Sequence, residues 1–266
     1  MNMEKSRLPV LDTLRKSIAT ISDNSRVLLK ALLLPSIVML TAFLGQKLMQ
    51  QHGNALINDG INISKTAFYI SISRVGATLI VSILSAVLAV ICHRVILLGK
   101  ESLPVEYGLY FSRRELKYFG WLILFSLPVL IGFMVIPGLS ALLSSVGYND
   151  VTILLLQAWS KTGMVMVTFI VTPFLLVLPA TAVDAENPFS KARLAVRRNA
   201  IRLAVVLIVP MLIRILTVWA LEYFGHEKYN IVNNAFIGLI VIAFMVFEAA
   251  ALAVSYKTLA YGLKNT

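Results

Sequence analysis

VNNAFIGLIVIAFMVFEAAALAVSY, residues Val232–Tyr256, carries a single charge, Glu248. A helix of about 20 apolar residues crosses the hydrocarbon core of a bilayer. Nothing in that core pairs a backbone N–H or C=O, so a spanning segment is a helix or a strand of a closed barrel. The run is too long and too continuous for a barrel strand. Five further stretches share its character: Val27–Met49, Val75–Leu98, Tyr118–Leu142, Thr162–Val183 and Leu203–Phe224. The composition agrees, at 58% hydrophobic and 14% charged. A soluble domain carries about 25% charged residues. The expected fold is an all-α membrane protein with six transmembrane helices, forming one polytopic domain over residues 1–266.

Lysine and arginine set the orientation. The amino-terminal segment holds Lys5, Arg7, Arg15, Lys16, Arg26 and Lys30. The second loop holds Arg94, Lys100, Arg113, Arg114 and Lys117, and the fourth holds Lys191, Arg193, Arg197, Arg198 and Arg202. The intervening loops carry few basic residues, so the rich loops and both termini are expected on the cytoplasmic side. The net charge of +11 is concentrated at the ends of apolar runs. That distribution fits anionic lipid as the partner and argues against nucleic acid, which needs a basic face on a folded soluble surface. Trp121, Trp159, Trp219, Tyr118 and Tyr223 lie near span ends, where aromatic rings anchor at the interface.

One cysteine, Cys92, makes no internal disulfide, and His52, His93 and His226 are scattered. No cofactor and no metal site is expected. The first residues lack the short apolar segment and cleavage site of a secretory signal. Acidic Glu4, Asp12 and Asp23 argue against a transit peptide. Asn62-Ile63-Ser64 matches a glycosylation sequon, a tripeptide common by chance.

A repeat emerges when Asn24 is superposed on Asn199. Lys16 then meets Lys191, Leu28 meets Leu203, and Pro35 meets Pro210. A third basic stretch, Arg113-Arg114-Glu115-Leu116-Lys117, precedes a span containing Leu127-Pro128. His93-Arg94-Val95-Ile96-Leu97-Leu98-Gly99 and Tyr256-Lys257-Thr258-Leu259-Ala260-Tyr261-Gly262 close the partner helices in similar fashion. Three related hairpins are expected, over 8–99, 110–184 and 188–262, each opened by a cytoplasmic lead-in helix. The lead-ins are amphipathic. Phe189, Ala192, Val196, Ala200 and Leu203 form one stripe, and Leu11, Leu14, Ile18 and Ile21 another. Such helices lie in the headgroup plane.

These lead-ins, the His93–Gly99 segment, and Leu178-Pro179-Ala180-Thr181-Ala182-Val183-Asp184 followed by the Pro188–Leu203 helix resemble a loose group of uncharacterised bacterial inner-membrane proteins. The group includes the YciC-like proteins and the membrane domain found before some glycerophosphodiester phosphodiesterases. The resemblance covers most of the chain through short motifs. It implies a six-helix fold in the bacterial inner membrane and no particular chemistry. Two departures stand out: a tail ending at Thr266 leaves no room for a catalytic barrel, and Cys92 stands where a tryptophan is expected.

Within the spans, Arg214 and Glu248 are the charges that demand partners. A charge at a helix centre costs about 2.5–3.5 kcal/mol. At about 1.5 Å per residue, Arg214 lies about 18 Å from Arg202 and Glu248 about 13 Å from Lys257. A long arginine side chain bridges that difference, so the two are expected to form an intramembrane ion pair, as a structural tie or as part of a polar pathway. His93, Arg94, Arg113, Arg114, Asp184, Arg197 and Arg198 gather at cytoplasmic helix ends, as interface markers or lipid headgroup contacts. Pro35, Pro128, Pro173, Pro179 and Pro210 punctuate the spans, and small residues at Ser82, Ala86, Ala89, Ala249 and Ala253 favour close helix contacts. Signatures of phosphate loops, zinc proteases, serine hydrolases and paired-cysteine redox sites are absent. The residues therefore favour a non-catalytic role in envelope or lipid organisation. A small transporter or channel using Arg214 and Glu248 ranks second, and a membrane-embedded enzyme last.

Overall fold

The computed structural model describes residues 7–58, 63–103, 112–127, 171–196, 199–224 and 231–261, and every regular element among them is helical. The helices are α1 (Val10–Asp23), α2 (Ser25–Asn58), α3 (Ile63–Leu98), α4 (residues 113–127), α5 (Val177–Ala182), α6 (Pro188–Val196), α7 (Ala200–Phe224) and α8 (Ile231–Tyr261). Single 3-10 turns stand at Lys100–Ser102 and Thr172–Phe174.

Four of the helices are long and apolar enough to cross a bilayer, over Ser25–His52, Val75–Leu98, Ala200–Leu221 and Ile231–Ala260. Their outward faces are as apolar as their inward ones: Leu29, Leu33 and Ile37 on α2, Leu79 and Ile80 on α3, and Leu216 on α7 are all exposed. A helix apolar on all sides is a membrane span. The chain is an all-helical, membrane-embedded protein. Of the other two expected spans, the first part of Tyr118–Leu142 is helical in α4, and the end of Thr162–Val183 is described from residue 171. The rest of both lies outside the described residues.

Two departures from expectation have physical causes. The stretch between Met49 and Val75 is helical up to Asn58 and again from Ile63, so α2 and α3 run well past the expected spans. No proline lies between Pro35 and Pro104 to stop either helix. The end of the fourth expected span is broken into the Thr172–Phe174 turn and the short α5. Pro173 and Pro179 supply no N–H, and the bonds Leu175 N–H to Thr172 O and Leu178 N–H to Leu175 O close tighter turns there.

Helix α8 is the axis of the described bundle and touches α1, α2, α3, α5, α6 and α7. In lipid there is no hydrophobic drive between helices, so close approach of small residues supplies the packing. Ala250, Ala251 and Ala253 are fully buried on α8, and Ala86 is fully buried on α3. Gly238 extends this logic to α2. A Cβ there would lie 2.6 Å from Leu40 Cδ1 and 3.3 Å from Phe43 Cδ1. Leu40 meets it with the end of a flexible side chain. Gly238→Ala is therefore expected to be near neutral, the crowding offset by about 1 kcal/mol of helix propensity. Gly238→Phe must spread α2 from α8 and is expected to cost about 1–3 kcal/mol. Thermal unfolding in detergent checks both, and a Phe variant as stable as the native chain would refute the close contact.

Asn24 and Asn199 occupy equivalent joints. Each interrupts the chain between a lead-in and a long helix. Leu28 N–H donates to Asn24 O at 2.9 Å, and Leu203 N–H to Asn199 O at 2.8 Å. Helix α1 does not rest mainly on its own α2: it packs against α7 and α8. Leu8 N–H donates to Asn199 Oδ1 at 2.9 Å, and Arg202 Nη1 reaches Leu8 O at 3.5 Å. The beginning of the described chain is thereby strapped to the α6–α7 joint.

Candidate functional site

The end of α3 and the start of α4 are joined by residues adjacent in sequence. His93 and Arg94 are neighbours on α3, and Arg114 and Tyr118 lie one turn apart on a single face of α4. His93 Nε2 and Tyr118 Oη form a hydrogen bond of 3.0 Å, with both side chains buried. Tyr118 thus corrects the expectation of an interfacial anchor. Near a span end, a phenol serves either role, and only the partner helix decides.

Arg94 is the hub of the second contact. Its Nε and Nη2 donate to Ser102 O at 3.2 and 2.9 Å, and its Nη1 donates to Ala182 O at 3.2 Å. Asp184 Oδ2 lies 3.5 Å from Arg94 Nη1 and 2.8 Å from Arg114 Nη2. Asp184 owes its position to the end of α5. Ala185 N–H donates to Ala180 O and Asp184 N–H to Thr181 O, the paired bonds of a Schellman termination. That motif puts a left-handed residue where glycine is usual, and Asp184 takes it at φ 53°. An aspartate tolerates this region better than most residues, and here its carboxylate bridges arginines from two helices. Ser112 begins α4 as a capping residue: Glu115 accepts from Ser112 N–H at 2.8 Å and from its hydroxyl, and Arg114 N–H donates to Ser112 Oγ.

Arg94, Arg114 and Asp184 are therefore brought together as a tie that already uses their charge. Arg113 is exposed and makes no ion pair among the described residues. Arg197 and Arg198 lie outside the described residues. Arg214 Nε stands 3.4 Å from Glu248 Oε1, between α7 and α8. The distance is that of an ion pair, although the N–H is not aligned as a hydrogen bond to that oxygen.

Glu248 also borders a partly open pocket of about 260 Å³ between the helices. Its wall draws on α3, α4, the 171–182 segment, α7 and α8, with His93, Tyr118, Ser85 and Glu248 as the polar members. Leu, Ala, Val and Met side chains form the remainder. His93 Nδ1 and Glu248 Oε1 are buried without a hydrogen-bond partner among the described residues. Nothing in the sequence announced the cavity, because it arises where side chains from distant elements fail to fill shared space. On the outer side of α6, Phe174, Phe189, Trp121 and Phe125 stack in series with centroid spacings of 5.7, 6.2 and 5.7 Å. Trp121 is thus a packing residue, while Trp219 and Tyr223 are exposed and stacked at 5.5 Å, as interfacial rings would be.

No protein-family model matches the chain, and no curated protein or solved structure matches it either.

Proposed function

We propose that this chain is a non-catalytic protein of the bacterial inner membrane that holds anionic lipid at its cytoplasmic rim and contributes to envelope or lipid organisation. The proposal includes six spans in three related hairpins, both termini in the cytoplasm, and kinship with the YciC-like group. One observation carries it. Helix α1 turns Thr13 and Ser17 into the bundle and leaves Leu11 83% and Ile18 60% exposed, with Arg15 and Lys16 beside them. An exposed apolar edge flanked by cations suits a helix lying in the headgroup plane. Lys16 is partly neutralised by Asp12 at 2.7 Å, whereas Arg15, Arg26 and Arg113 are exposed and make no ion pair among the described residues.

The test is native mass spectrometry of the full chain released from mixed vesicles of phosphatidylglycerol and phosphatidylethanolamine. The expected result is preferential retention of phosphatidylglycerol. Replacing Arg15, Arg26 and Arg113 with Gln should weaken it by about 3 kcal/mol, roughly a hundredfold, at about 1 kcal/mol per surface cation. Equal retention of both lipids by the native chain would refute the reading.

A second reading, a small transporter or channel using Arg214 and Glu248, is favoured by the cavity that touches Glu248. It requires water there, so cysteines placed around Glu248 would be labelled by a water-soluble reagent. A membrane enzyme has the least support.

A further inference from the structure

The partly open pocket between the helices offers an occupant little to bond. His93 Nε2 and Tyr118 Oη are bonded to each other, and the Ser85 hydroxyl donates to Val81 O at 2.6 Å. His93 Nδ1 and Glu248 Oε1 are shut off behind neighbouring atoms. Leucine, alanine, valine and methionine side chains make the rest of the wall. An ordered water needs two to four polar partners, so water is poorly served here and hydrocarbon is well served. Leu88, Leu178, Ala249 and Leu252 are buried and form the floor. Leu122, Leu207, Met211 and Met245 are half-buried and reach the surface.

The pocket is elongated and confined in depth. Ser85 and His93 mark its extent along α3, about 12 Å apart. Its deepest members, Ser85, Met211 and Met245, lie about 14, 14 and 18 Å along their helices from the basic residues Arg94, Arg202 and Lys257. Half of the hydrocarbon core is about 15 Å thick. The pocket thus runs through one leaflet, whose thickness is that of a single acyl chain. We propose that it seats one acyl chain of a phospholipid from that leaflet, lying along α3 and α8 with its terminal methyl near Met211 and Met245. A chain entering from the bilayer leaves hydrocarbon for hydrocarbon and gains no hydrophobic energy. Its gain is contact, because an apolar wall left unfilled forfeits the dispersion of its lining atoms. The methionines at the deep end adapt to the mobile end of a chain. The site goes beyond the cationic rim and does not depend on headgroup charge.

The experiment uses the full chain in phosphatidylcholine nanodiscs with two photoreactive phosphatidylcholines. One carries its reactive group near the ester of an acyl chain, the other near the terminal methyl, and labelled residues are mapped by mass spectrometry. The ester-side probe is expected on Leu178 and Leu252, which are buried and beyond the reach of boundary lipid. The terminal probe is expected on Met211 and Met245. Ala89→Phe sets a ring in the pocket and should remove the label from Leu178 and Leu252, while label on Leu216, exposed on the outside of α7, persists. Leu178 and Leu252 free of label in the native chain would overturn the proposal, showing a groove filled by protein or left empty. The same residues labelled by both probes would overturn it too, as would floor label that survives in a folded Ala89→Phe variant. Should Ala89→Phe not fold, the depth order of the two probes on the native chain decides. A rim without preference for phosphatidylglycerol would leave this result untouched, because the probes carry no net charge.

Discussion

Glu248→Arg is expected to remove folded protein from the membrane, and adding Arg214→Glu is expected to bring it back. The single change places two cations where Arg214 Nε and Glu248 Oε1 now stand 3.4 Å apart. Each side chain is only about a quarter exposed. Breaking a buried pair costs about 3–5 kcal/mol. A typical domain has about 5–15 kcal/mol of stability in all. The exchange of both charges restores the attraction across the same α7–α8 contact. Glu248→Gln should fall between, since Arg214 can then reach toward the interface. Size-exclusion chromatography of a fluorescently tagged chain gives the folded fraction. Equal loss in the single and double variants would dispose of the pairing as a source of stability.

Arg94→Ala should be nearly as damaging, at about 3 kcal/mol, and Arg94→Lys should recover little of it. Three donor nitrogens of one guanidinium serve Ser102 O and Ala182 O while facing Asp184. Hydrogen bonds from a charged donor are worth about 1.5–3 kcal/mol each and do not add fully. A lysine ammonium is a point charge that cannot hold two carbonyls and a carboxylate in that fork. Asp184→Asn should cost no more than about 1 kcal/mol, because the Asp184 carboxylate is 58% exposed and screened by solvent. Thermal unfolding of the three variants ranks them. A lysine variant as stable as the native chain would show that charge alone suffices.

The parts legible in the sequence were those where lipid leaves no alternative. Val232–Tyr256 can hardly be anything but a span, and the helix found is Ile231–Tyr261. An isolated charge is so costly there that Arg214 and Glu248 call for each other, and the structure places them side by side. Where chemistry permits two outcomes, the residues did not choose. Tyr118 can anchor at an interface or bond a buried histidine, and only the approach of α3 selects the second. Asp184 ends α5 in a conformation usually announced by glycine, so its motif was hidden behind an ordinary acidic residue. The extended ends of α2 and α3 were missed because polar residues such as Gln50, Gln51 and Asn54 resemble a loop in composition, although they tolerate a helix held by its neighbour. The basic cluster at these helix ends was visible as a group, but its division into tied arginines and free ones depends on distances.

The strap from Leu8 to Asn199 has a bearing on biogenesis. A ribosome delivers α1 long before it has made α6, α7 or α8, yet those late elements are what α1 rests on and what Leu8 bonds to. Helix α1 must therefore wait, loosely held, while nearly two hundred further residues are made. Its docking is a late step of assembly, a latch thrown only when α7 and α8 have arrived.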